Sequence, residues 1–134
     1  MMITLDASAA INLVSQTKEG QQVERFIIES ECVIAPELFL PEVANAFWKY
    51  CQFDNLTPAL ASQSIDKAVK LIDIFVPSQD LIKEAFSLSC SSNCSVYDAL
   101  YLVVTRRNNG MLITMDRKLR TIAAQLDISF SETP

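Results

Sequence analysis

Four acidic residues stand out by type and setting: Asp6 in Leu5-Asp6-Ala7-Ser8, Glu42 in Pro41-Glu42-Val43-Ala44-Asn45, Asp98 in Val96-Tyr97-Asp98-Ala99-Leu100, and Asp116 in Thr114-Met115-Asp116-Arg117. The chain contains no histidine. That excludes imidazole-based nucleophile triads, histidine-ligated zinc and the H-E-x-x-H metalloprotease helix, and leaves any chemistry to carboxylates. Two carboxylates about 4 Å apart repel by roughly 4 kcal/mol at an effective dielectric near 20, so several in one pocket call for a cation. An all-oxygen set without imidazole or thiolate selects hard ions, Mg²⁺ or Mn²⁺, which keep several waters and bridge to phosphate oxygens. Such ions activate a bound water and neutralise the departing oxygen in phosphodiester hydrolysis.

Each acid also has a plain structural reading. Asp6 and Asp116 directly follow apolar runs, where aspartate serves as a helix N-cap. Asp98 interrupts a stretch, Val96 to Val104, that is apolar nearly all round, the mark of a helix packed between other elements. Ser95 and Asp98 have the spacing of a capping box, in which Asp98 would reach back to the Ser95 amide. No lysine or arginine lies within a helical turn of Asp98 in the chain, so if buried it needs another source of positive charge or hydrogen-bond donors. Glu42 lies just after Pro41, a residue tolerated only near a helix start. It shares a polar face with Asn45 and Lys49, while Val43, Phe47 and Tyr50 make the apolar stripe. Ser8, Asn45 and Thr114 are candidates to hold the acids in place and are equally plausible as turn or cap residues.

The elements that must position these residues alternate. Ile3 to Leu5, Cys32 to Ala35, Ile74 to Val76, Met111 to Thr114 and Ile128 to Phe130 have strand length and β-branched or aromatic content. Between them, Ala9 to Val14, Gln21 to Glu29, Leu38 to Phe53, Pro58 to Asp73, Asp80 to Cys90, Val96 to Asn108 and Arg117 to Leu126 have helical period, punctuated by Pro36, Pro58, Pro77 and Gly110. Such alternation predicts an α/β fold: a three-layer α/β/α sandwich with a five-stranded parallel sheet and right-handed crossovers. Ligands bind beyond the carboxyl ends of the strands in open sheets of this kind. Asp6 follows the first strand, Asp116 the fourth, and the helix carrying Glu42 follows the second. The 134 residues suit one domain spanning 1–134.

The formal net charge of −5 argues against a protein that coats nucleic acid by neutralising phosphates, but leaves open a contact made through metal ions. Arg106, Arg107, Arg117, Lys118 and Arg120 supply five of the eleven basic residues. They suit an RNA backbone track, or helix carboxyl ends and a solvated face. No apolar run approaches the roughly 20 residues needed to span a bilayer, and the start lacks a basic leader, so a soluble cytoplasmic protein with no membrane contact is expected. The four cysteines match no zinc spacing and read as reduced thiols.

Four blocks of the chain resemble the PIN-domain nucleases of the bacterial VapC toxin type. They are Leu5-Asp6-Ala7-Ser8-Ala9; Ala35-Pro36 with Pro41-Glu42-Val43-Ala44-Asn45-Ala46; Ser95-Val96-Tyr97-Asp98-Ala99-Leu100-Tyr101-Leu102; and Leu112-Ile113-Thr114-Met115-Asp116-Arg117-Lys118-Leu119. The resemblance implies a Mg²⁺- or Mn²⁺-dependent endoribonuclease, commonly a homodimer, with acids at Asp6, Glu42, Asp98 and Asp116. It further implies inhibition by a small antitoxin from the same operon. One departure is Asp127, which stands where glycine is common before the last strand. Two other readings share the fold. A phosphatase of the haloacid-dehalogenase kind would carry a second Asp where Ser8 stands, and a catalytically silent binding module would sequester a partner.

Overall fold

Short β-branched runs leave the chain few conformations but extended ones, and the longer apolar-periodic stretches between them fold as helices that cover the resulting sheet. In the computed structural model, which describes residues 1–132, β1 (Met2–Leu5) leads through α1 (Ala7–Val14) and α2 (Lys18–Glu29) to β2 (Cys32–Pro36). The chain continues through α3 (Phe39–Phe53) and α4 (Pro58–Lys70) to β3 (Ile74–Val76). It then passes through α5 (Ser78–Ser92) and α6 (Val96–Arg107) to β4 (Met111–Ile113), and α7 (Arg117–Gln125) leads to β5 (Ser129–Phe130). The five strands form one sheet in the order β3-β2-β1-β4-β5, with every pair parallel. The three-layer arrangement expected from the alternation is therefore the one observed.

Alternating residues of the strands face two separate cores. Ile3, Leu5, Val33, Ala35 and Ile113 pack under α1 to α4 with Val23, Phe39, Val43 and Phe47. Ile34 and Leu112 face the other way, against Leu81, Leu102, Leu119 and Ile122 from α5, α6 and α7. On α6, every residue from Ala99 to Thr105 is buried, as the unbroken apolar stretch predicts.

Several boundaries move from their expected positions for local reasons. Helix α1 begins at Ala7 rather than Ala9, because Asp6 caps it directly. Helix α2 starts at Lys18 rather than Gln21, capped by Thr17, and so takes Gly20 into its first turn. Glycine is required there: a Cβ would lie 2.3 Å from the Asn12 carbonyl oxygen of α1. Helix α4 ends at Lys70, short of Asp73, whose N–H donates to the Val33 carbonyl at 2.8 Å while its carboxylate accepts from the Val33 N–H at 2.8 Å. Tyr50, expected in the core stripe with Val43 and Phe47, is instead 37% exposed. It lines a surface groove with Phe47 and Leu56 and meets Phe47 edge-on, ring centroids 5.6 Å apart. Asp127 has φ 56°, the left-handed conformation that favours glycine, which accounts for the glycine common at this point.

Helix α6 carries the chain back to the start of β4, where Gly110 lies so near the Met2 carbonyl that a Cβ would approach it to 2.7 Å. The amino end of α6 therefore lies at the opposite edge, beyond the strand carboxyl ends, together with the starts of α1, α3 and α7.

Candidate active site

At that edge Asp6 is the most enclosed acid, 5% exposed. It follows β1, and its N–H donates to the Ile113 carbonyl of β4 at 3.1 Å. Its carboxylate caps α1 through the Ala9 N–H, 3.0 Å from Oδ1. The Ser8 hydroxyl donates to the same oxygen at 2.7 Å, and the Thr114 hydroxyl donates to Oδ2. Both hydroxyls accept from the loop after β4: the Met115 N–H bonds Ser8 Oγ at 3.1 Å, and the Asp116 N–H bonds Thr114 Oγ1 at 3.0 Å. Burial nevertheless dominates and pushes the Asp6 carboxyl up to about 6, with the Glu42 carboxylate adding repulsion.

Glu42 sits in the first turn of α3, half-buried, and its Oε1 accepts a 2.6 Å hydrogen bond from the Tyr101 hydroxyl of α6. Burial raises its carboxyl above the ordinary range, the Tyr101 bond opposes that, and Asp98 raises it further. Asp98 is part-exposed in the first turn of α6. The Ser95 hydroxyl caps that helix by accepting the Asp98 N–H at 3.1 Å, which is one half of the expected capping box. Burial also raises the Asp98 carboxyl, with Asp116 adding repulsion and the Lys118 ammonium pulling the other way. Asp116 is exposed and caps α7, its Oδ1 accepting from the Lys118 and Leu119 N–H groups at 2.9 and 3.3 Å.

The four acids thus form an electrostatic chain in which Glu42 raises the proton affinity of Asp6, Asp98 that of Glu42, and Asp116 that of Asp98. The tight cage that the sequence suggests is not closed. Among the described residues, no three acids, thiols or imidazoles are gathered as a ready ligand cluster. Mutual repulsion explains the spacing, since without a counter-charge each carboxylate does better with hydrogen-bond donors or water than with another anion. The donor set still fits a hard divalent ion. It offers only oxygen, and Asp98, Asp116 and Glu42 each keep a carboxylate oxygen outside the bonds just described. Mg²⁺ asks for one or two carboxylates and several waters rather than a complete protein cage.

The other candidates separate. Ser8 and Thr114 both hold Asp6. Asn45 is exposed on α3, and its side chain makes no hydrogen bond among the described residues. The basic residues do not form one track. Arg106 and Arg107, at the far end of α6, pair with Glu84 at 3.3 and 3.2 Å. Arg120 grips the Thr114 carbonyl through Nε and Nη2 at 3.1 and 2.7 Å. Arg117 and Lys118 remain exposed beside Asp116. The residue that sequence reasoning missed is Tyr101. Its spacing from Asp98, three residues along one helix face, was the available signal.

A parallel sheet covered by helices on both faces, with acids along its carboxyl edge, places the chain among the three-layer α/β proteins. Residues 3–125 match the PIN domain family, and the chain belongs to it. It is 30% identical over 125 residues to Ribonuclease VapC3 of Pyrobaculum aerophilum, covering 89% of this chain and 92% of that one. The crystal structure of PAE2754 from Pyrobaculum aerophilum superposes with a TM-score of 0.73 at 24% identity, over 91% of this chain and 87% of that one. A toxin-antitoxin complex from Klebsiella pneumoniae gives 0.65 at 21% identity, over 87% and 88%. The family match removes the haloacid-dehalogenase alternative, consistent with Ser8 being spent on holding Asp6.

Proposed function

We propose that this chain is a divalent-metal-dependent endoribonuclease that hydrolyses RNA phosphodiester bonds and acts in the cytoplasm as the toxin of a toxin-antitoxin pair. The single observation that carries the catalytic part is the run of four mutually repelling carboxylates at one sheet edge. The name of the curated relative supports RNA as the substrate, and the toxin-antitoxin complex supports a protein inhibitor.

In this reading Asp6, Asp98 and Asp116 hold Mg²⁺ or Mn²⁺, and Glu42 is a further ligand or orients the attacking water. When bound, such an ion lowers the pKa of a coordinated water and offsets charge on the phosphate. The remaining work falls to the chain itself. Ser8 and Thr114 fix the Asp6 carboxylate by two hydroxyl donors, and Lys118 supplies a cation beside Asp98. A second copy of the chain and a small antitoxin are the expected partners. Trp48, Phe53 and Leu60, which are 53%, 76% and 52% exposed on α3 and α4, are the apolar area such contacts would cover. No helix among the described residues is long and apolar enough to cross a membrane.

The decisive experiment incubates the purified protein with single-stranded RNA in Mn²⁺ or Mg²⁺, with and without chelator. Cleavage that disappears with chelator and in Asp98→Asn supports the assignment. Intact RNA in all arms would return the chain to the silent binding-module reading.

A further inference from the structure

We infer that Tyr101 is a positioning residue that fixes the Glu42 carboxylate, a role that rests on the nuclease reading above. The phenol is 3% exposed, yet its hydroxyl reaches from α6 to α3 and donates to Glu42 Oε1 at 2.6 Å. It is the one hydrogen bond that ties the Glu42 side chain to another element among the described residues.

The direction of that bond follows from the chemistry of its two partners. A phenol has one proton to give. An ionised carboxylate can only accept, so that proton goes to Glu42. Burial and the adjacent Glu42 and Asp6 carboxylates hold the phenol far above its ordinary range of ionisation. A glutamate side chain is rotamer-rich and loses entropy when ordered. The bond to Oε1 imposes that order in advance and leaves Oε2 for an ion or a water.

Tyr101→Phe removes only the hydroxyl and keeps the ring volume. Crystal structures of the wild type and Y101F test positioning without reference to activity. Glu42 is expected to leave its wild-type rotamer, and a carboxylate that stays in place overturns the proposal. RNA cleavage in Mn²⁺ tests the consequence, with an expected loss of about 10- to 100-fold in kcat, typical of residues supporting a metal site, and little change in KM. In a Glu42→Gln background Y101F should cost nothing more, because the two act as one unit. An equal fold-loss in both backgrounds would show that Tyr101 does not act through Glu42. Should the wild type leave RNA intact, the nuclease reading fails, and the rotamer comparison still decides the positioning claim.

Discussion

Thr114 and Asp6 lie 108 positions apart in the chain, and the Thr114 hydroxyl closes that distance by donating to Asp6 Oδ2 while accepting the Asp116 N–H at 3.0 Å. One fully buried hydroxyl thus links the first acid to the loop that carries the last. Thr114→Val keeps the shape and removes both bonds, leaving a buried carboxylate and an amide short of partners. The expected cost is about 1–3 kcal/mol, read by urea unfolding at pH 7. Thr114→Ser should recover most of it. Equal stability of the valine variant and the wild type would show that this bond contributes nothing.

Asp6 makes stability depend on pH in a stated direction. Its carboxyl, raised from 3.8 to about 6 chiefly by burial, binds a proton in the folded chain that the unfolded chain has released. Its stabilising contribution is complete below pH 3.8 and is lost as pH rises through 6. The difference converts to about 3 kcal/mol. Measured in chelator, the wild type should therefore lose stability relative to Asp6→Asn between pH 4 and 7, and Mn²⁺ should restore part of it at pH 7. A pH-independent gap between the two proteins would contradict the proposed burial of the charge.

Asp98→Asn isolates charge from capping, because the α6 cap is Ser95 and not Asp98. Removing a carboxylate that Asp116 repels should leave the metal-free protein at least as stable as the wild type while abolishing cleavage. Ser95→Ala should do the reverse to stability, lowering it by about 1 kcal/mol. A marked drop in metal-free stability for Asp98→Asn would assign that residue to the helix instead.

Asp116 serves two purposes that a pair of variants can separate. Asn retains an oxygen for the Lys118 and Leu119 N–H groups and loses the charge, whereas Ala loses both. Asp116→Asn should unfold near the wild-type midpoint and fail to cleave RNA. Asp116→Ala should fail to cleave and also lose about 1 kcal/mol, as N-cap removals do. Cleavage by the Asn variant would exclude the Asp116 charge from the reaction.

The strands, the helices and the sheet edge that carries the acids are readable from the residues because each rests on local pattern: alternation, periodicity and an Asp directly after a strand. What escaped that reading depends on three-dimensional contact. Tyr101 looked like one more apolar residue in the α6 stretch, and only the approach of α3 reveals what its hydroxyl meets. Arg106 and Arg120 counted alike as positive charges, yet one pairs with Glu84 and the other holds the Thr114 carbonyl. Tyr50 obeyed the period of α3 but fell beside a groove rather than under the sheet. The cap and acid readings of Asp6 and Asp116 were posed as alternatives, and hydrogen bonds to helix N–H groups show that both side chains do cap.

The sheet order sets the sequence of events during synthesis. Strand β1 precedes the other four strands in the chain, yet it sits at the centre between β2 and β4, and Asp6 gains its Thr114 partner only after β4 has been made. A nascent chain halted before Met111 has neither the fourth acid nor the hydroxyl that secures the first. In the proposed reading, catalytic competence therefore waits on β4 and the loop that follows it.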